Sequence, residues 1–365
     1  MNKTIKLIFI IFFVGIVSSA TTYFFTKNIE PNIIVSEDNI IKNQAKKDAT
    51  DVLVEEDVIE YSVGDTKKSE IKQAQAPINQ EPIIIVNSNY APIINGCQIY
   101  PSDNTWNTDI SNYSIHPKSN TYIQTIGLTK GLHPDFGENQ DYGIPYNIVS
   151  NQTKVHVTFT EYGDESDAGP YPIPQNPKME AMKDAHLIVL DTSECKLYEM
   201  YNAKKSSNGS WLADSGAIFN LKSNALRPEG FTSADAAGLP IFPGLVRYEE
   251  IEAGEIKHAI RFTANHTQAG WIHPATHKAG TDNSSYPPMG LRVRLKANYD
   301  ISGFNKQAQI ILTAMKKYGM ILADNGSDWF FSGATDTRWN DDMLNKLKEV
   351  QGSAFEAIYT GDIIK

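Results

Sequence analysis

The distribution of aromatic residues and glycine along this chain, more than any single motif, limits what it can fold into. All five tryptophans, most tyrosines and nearly all glycines lie after residue 95. Residues 26–95 are dominated instead by Asn, Gln, Lys, Glu and Asp, with short Ile and Val clusters and no sustained period. Such a segment has too little apolar surface to offset the entropy of ordering, so it is expected to be a disordered tether. Pro-Ile-Ile-Ile-Val at 82–86 is the exception, an apolar run suited to an added edge strand. Residues 96–365 can bury a core as one globular domain.

In residues 1–25, Lys3 and Lys6 precede an apolar run from Leu7 to Val17, followed by Ser18, Ser19 and Ala20. This is the order of a secretory signal. The apolar character resumes at Tyr23, Phe24 and Phe25 before Lys27, so the stretch approaches the ~20 residues that span a bilayer. Its short basic end also satisfies the positive-inside bias. A cleaved signal peptide and an uncleaved membrane anchor both fit, and either places the remainder outside, secreted or held at the outer face of the cell membrane. A net charge of -10 makes nucleic acid an unsuitable partner, because a phosphate backbone would meet repulsion. Cys97 and Cys195 are the only cysteines. An even pair in an exported chain reads as a disulfide.

The pattern of the domain is β-rich. Residues 155–161 and 196–201 alternate, 185–190 form a near-continuous apolar run, and further strands are expected at 258–263, 291–297 and 320–323. One helix is expected at 305–318, where Ala308, Ile311, Leu312 and Met315 share a face, and another at 341–350 capped by Asn340. Many short strands with few helices predict an α+β chain built as a single β-sandwich or distorted barrel with peripheral helices.

Several groups of residues could carry chemistry. The loop after the first alternating strand holds Asp164, Glu165 and Asp167, which could supply a catalytic carboxylate or gather around calcium, although EF-hand spacing is lacking. In residues 227–240, Arg227 and Glu229 are functional candidates. Asp235, three residues after Thr232 with Gly238 beyond, has capping-box spacing and reads as a helix cap instead. Glu199 shares a strand face with Leu197 and Tyr201, apolar surroundings that raise a carboxyl pKa and suit a general acid. Arg261 and Asp324 are candidates for positioning substrate, as is Trp271, although most of the tryptophans are expected in the core. Arg292, Arg294 and Lys296 share one strand face and could receive an anionic sugar or form an ion-pair ladder. His273 and His277 are four apart, but Pro274 stands where a metalloprotease has its Glu, so no metal is assigned there. Nucleophile-elbow, phosphate-loop and dinucleotide fingerprints are missing from the sequence.

From about Cys97 to Ile358 the chain resembles a family of uncharacterised secreted bacterial proteins. The segments that carry the resemblance are Ser-Gly-Ala-Ile-Phe at 215–219, Ser-Asn-Ala-Leu-Arg-Pro-Glu-Gly-Phe-Thr-Ser-Ala-Asp-Ala-Ala-Gly-Leu-Pro at 223–240, His-Ala-Ile-Arg-Phe-Thr at 258–263, Pro-Pro-Met-Gly at 287–290 and Ala-Asp-Asn-Gly-Ser at 323–327. The resemblance implies one secreted domain with a disulfide and names no reaction.

Two function classes follow. One is a carbohydrate-active enzyme, a glycoside hydrolase or polysaccharide lyase acting on an extracellular polysaccharide. Its acid and base would be drawn from Asp164, Asp167, Glu199 and Glu229, with Arg227, Arg261, Asp324 and Trp271 holding the glycan. The other is a tethered carbohydrate-binding or adhesion module without turnover. Converging polar side chains in a cleft would favour the enzyme, and a flat face studded with rings the binder.

Overall fold

The apolar run before Asp191 is continuous because its strand is covered on both faces. In the computed structural model, which describes residues 91–181 and 183–365, a four-stranded sheet contains β1 (Tyr146–Val149), β2 (Leu187–Asp191), β3 (Lys196–Tyr201) and β4 (Ser215–Asn220), in the order β4-β3-β2-β1. Ile188, Leu190 and Leu197 face the main core, while Leu187, Val189, Tyr198 and Met200 face a second apolar cluster with Tyr171 and Trp211. Alternation across β2 is therefore invisible in its sequence, as expected for a strand buried on both sides.

A six-stranded sheet lies across the main core. Its longer strands are β5 (Ile260–Ala264), β6 (Arg292–Leu295), β7 (Met320–Asn325) and β8 (Phe355–Ile358), in the order β8-β6-β7-β5, and the two-residue strands Phe330–Phe331 and His133–Pro134 extend it beyond β5. β5 and β7 pair in parallel, with a register shift between Phe262 and Thr263 that sets Thr263 opposite Asp324. A three-stranded sheet covers the outer face of the four-stranded one, and one of the four sheets curls into a half-barrel. The molecule is thus a strand-rich sandwich with few helices, the expected class.

Helices α1 (Ser119–Ile126), α2 (Tyr248–Ala253), α3 (Lys306–Lys317) and α4 (Asp341–Asn345) are short. Asn305 caps α3 through Ala308 N, and Asn340 caps α4 through Met343 N. The expected helix at 341–350 is α4 followed by a 3-10 turn at Lys346–Glu349. The cationic face of β6 serves the backbone. Arg292 is buried and donates to the carbonyls of Thr105, Thr108 and Tyr318, Arg294 pairs with Glu356, and Lys296 donates to Ser353 O.

Cys97 and Cys195 are bonded across a sequence separation of 98 residues, clamping the hairpin Ile93–Ile94/Cys97–Gln98 to the turn between β2 and β3. Among the described residues no helix is long and apolar enough to cross a membrane. The expected signal or anchor, the strand at 82–86 and the tether up to residue 90 lie outside the described residues, whereas Ala91–Asn95, expected in the tether, are drawn into the domain by the pairing of Ile93–Ile94 with Cys97–Gln98.

A loop of this length loses roughly 4–5 kcal/mol of unfolded-state entropy on closure. The double variant Cys97→Ala/Cys195→Ala is therefore expected to unfold at a clearly lower urea concentration than the oxidised chain. An unchanged midpoint would mean that the clamp adds nothing to stability.

Candidate functional site

The acidic loop after the first alternating strand is fastened to residues 227–232. Asp167 Oδ2 accepts from Ile218 N at 2.8 Å and pairs with Arg227 at 2.5 Å. The buried Arg227 also donates to Thr232 O and Glu165 O, and Glu165 Oε2 accepts from Thr232 N at 2.8 Å. Asp164 lies exposed on the 3-10 turn Gly163–Glu165. Two of the three carboxylates proposed for calcium are thus spent on Arg227 and a backbone amide. Among the described residues no group of three or more His, Cys, Asp and Glu is placed to hold a metal ion.

Fixing this loop sets Asp235. No helix forms there, so the capping-box expectation is overturned. The Thr232 and Ser233 hydroxyls both donate to Asp235 O, and Asp235 N donates to Ser233 Oγ. The carboxylate turns inward to Arg261 on β5, accepting from Nε at 2.7 Å and from a terminal nitrogen at 2.9 Å. A buried guanidinium needs a fork-matched counter-charge far more than a turn needs a cap. The other terminal nitrogen of Arg261 donates to Ser332 Oγ at 2.7 Å, while the one bonded to Asp235 also donates to Asp324 Oδ2 on the neighbouring β7 at 3.2 Å.

His186, just before β2, extends the cluster. Its Nδ1 meets Glu180 at 2.5 Å and its Nε2 faces Ala234 O at 3.1 Å. With an acceptor at each nitrogen the ring is suited to donate from both, as an imidazolium. Burial alone would lower its pKa, but the hydrogen bond and charge of Glu180 outweigh burial and raise it. Glu180 shifts down in return: burial opposes its charge, and His186 more than compensates.

Arg261 and His186 therefore balance Asp235 and Glu180, which leaves further carboxyls without a cation of their own. Asp324 is pushed up to about 7, first by burial and then by Asp235, against the attraction of Arg261. Its side chain nevertheless remains 27% exposed. Asp135, exposed at the end of the short strand His133–Pro134, is likewise raised by burial and by Glu180. A carboxyl desolvated by surrounding protein and still reached by solvent meets two conditions of a general acid. Arg247, Glu250 and His258 form a second ion cluster, but all three are buried.

The remaining sequence candidates fall elsewhere. Glu199 is fully buried, accepting from Ile241 N and Phe242 N at 2.8 Å each, so it anchors the 3-10 turn Phe242–Gly244 beyond reach of a substrate. Glu229 accepts from the Trp271 indole at 2.9 Å and meets His273 Nε2 at 2.6 Å, while His277 Nδ1 faces Ala236 O. Trp271 is buried, as are the other four tryptophans. The fold brings sequence candidates together in three pairs, Asp167 with Arg227, Glu229 with Trp271, and Arg261 with Asp324. Sequence reasoning missed Asp135, Glu180, His186 and Ser332. A lone histidine abutting a doubly buried strand was the available signal for His186. Compared with family models, curated proteins and solved structures, the chain matches none.

Burial pushes Glu199 up to about 7 from its usual 4.5, against the pull of two backbone amides. Between those values the folded chain holds a proton that the unfolded chain has lost. The stabilisation is full below 4.5 and is lost as pH rises through about 7, amounting to at most about 3 kcal/mol. Glu199→Gln is expected to flatten this slope in urea titrations between pH 4.5 and 8. Parallel slopes for the two proteins would show that Glu199 does not hold the proton.

Proposed function

We propose that the domain is a glycoside hydrolase acting on a neutral glycan outside the membrane, with Asp324 as general acid and Asp135 as the companion base. The observation that carries this reading is a solvent-reached carboxyl whose pKa lies near neutrality, beside a charge cluster that fixes its position. Asp324 would deliver its proton to the glycosidic oxygen as the bond to the anomeric carbon breaks. Asp135 would take a proton from the attacking water, so both carboxyls exchange protons in one turnover. Arg261 acts as a positioning residue, because its hydrogen bonds go to Asp235, Ser332 and Asp324.

Charge favours hydrolysis over the lyase alternative. A lyase neutralises a uronate with a free cation, whereas here Arg261 is occupied and carboxylates outnumber cations. The binding-module alternative draws less support, since the burial of all five tryptophans removes the indole platforms it would use.

Incubating the full chain with neutral polysaccharides should release reducing ends. Asp324→Asn is expected to lower kcat by about 10²- to 10⁴-fold while preserving the near-ultraviolet dichroism of the fold. Because the acid must be protonated, kcat should fall as pH rises above about 7. Binding of these glycans by the wild-type chain without any release would overturn the reading in favour of the binding module.

A further inference from the structure

Among the described residues, the outer edge of β1 carries no further strand in its sheet. Alongside it opens a cavity of about 480 Å³, walled by β1, the segment containing Asn176 and Lys178, and the loop that runs from Ala334 to Arg338. That volume suits a small organic ligand or a short run of sugar units. Asn147 of β1 holds one wall in place, its amide donating to Lys178 O at 2.9 Å and its oxygen accepting from Lys178 N at 2.8 Å. Arg338 holds the opposite wall, pinned by Asp336, Glu249 and Glu252 and lying 4.6 Å over the ring of Tyr248.

The lining says what would enter. Lys178 and Arg338 stand against Glu249 and Asp336, so the wall is balanced in charge and selects for neither a phosphate nor a uronate. The side chains of Asn176, Thr335 and Thr337 make no hydrogen bond among the described residues and line the cavity. Amide and hydroxyl groups that both donate and accept match the hydroxyls of a neutral sugar. Tyr146 adds a phenol that burial and Glu249 keep protonated, and therefore a donor. Position is the second argument. Lys178 lies two residues before Glu180, the partner of His186, and Ala334 two residues after Ser332, the partner of Arg261, so short chain segments join both walls to the Asp324 cluster.

We propose that this cavity binds the flanking units of a neutral oligosaccharide whose scissile bond lies at Asp324, an assignment that rests on the hydrolase reading above. The enzyme would then act within chains rather than on isolated disaccharides.

The test uses the full chain carrying Asp324→Asn, titrated calorimetrically with cello-, xylo-, manno- and maltohexaose, their disaccharides, and hexagalacturonate. One neutral hexaose is expected to bind at least about tenfold more tightly than its disaccharide and than the uronate. Thr337→Trp and Asn176→Trp, both at exposed positions, should each weaken that binding by about tenfold or more. Thermal melting confirms that each variant folds. The subsite is overturned if no neutral hexaose binds, if hexagalacturonate binds best, or if neither tryptophan weakens binding. Turnover by wild type that is lost in Asp324→Asn, with binding and product lengths indifferent to both tryptophans, rejects the subsite alone. Cavity-dependent binding without turnover by wild type rejects the hydrolase and leaves a glycan-binding site.

Discussion

The buried guanidinium of Arg261 is the interaction on which the rest of the site depends. It sits on β5, next to the parallel strand β7 in the six-stranded sheet, and a cation there is tolerable only if its hydrogen bonds are satisfied. Asp235 supplies the fork-matched partner, which means that residues 227–240 must fold inward rather than form a capped helix. That loop is held in turn by Arg227, Asp167 and Glu165. His186 donates toward Ala234 O next door and brings Glu180 with it. One buried charge thereby recruits groups from both large sheets and from the loops between them.

The fold was legible in the sequence to the extent that its physics is local. The alternation of 196–201 gave β3 to the residue, and Asn340 caps the helix it was expected to cap. The even pair of cysteines, in a chain expected to be exported, gave the disulfide. Parallel pairing of β5 with β7 was not legible, because a buried apolar strand reads alike whichever direction its neighbour runs. The site was legible only in part. Arg261 stood out as a charge within an apolar strand and Asp324 fell just past the strand expected at 320–323, but Asp235 matched a local capping pattern that a long-range ion pair overrode. Glu199 had the apolar surroundings expected of an acid, and the same burial closes it off from any substrate. A carboxyl near neutrality is a candidate acid only when solvent still reaches it, and strand-face reasoning cannot supply that condition.

On the hydrolase reading proposed above, the excess of carboxyls around Arg261 would tie the acid to the substrate class. Burial is the first cause of the raised Asp324 pKa, and the charge of Asp235 adds to it; a further cation beside Asp324 would lower it. Both effects favour the protonated carboxyl at a side chain that solvent still reaches. The same excess of acid groups repels a uronate and leaves a neutral sugar unopposed. Proton supply and exclusion of anionic glycans are therefore one property of the cluster. A substitution that added a cation beside Asp324 would be expected to alter both together.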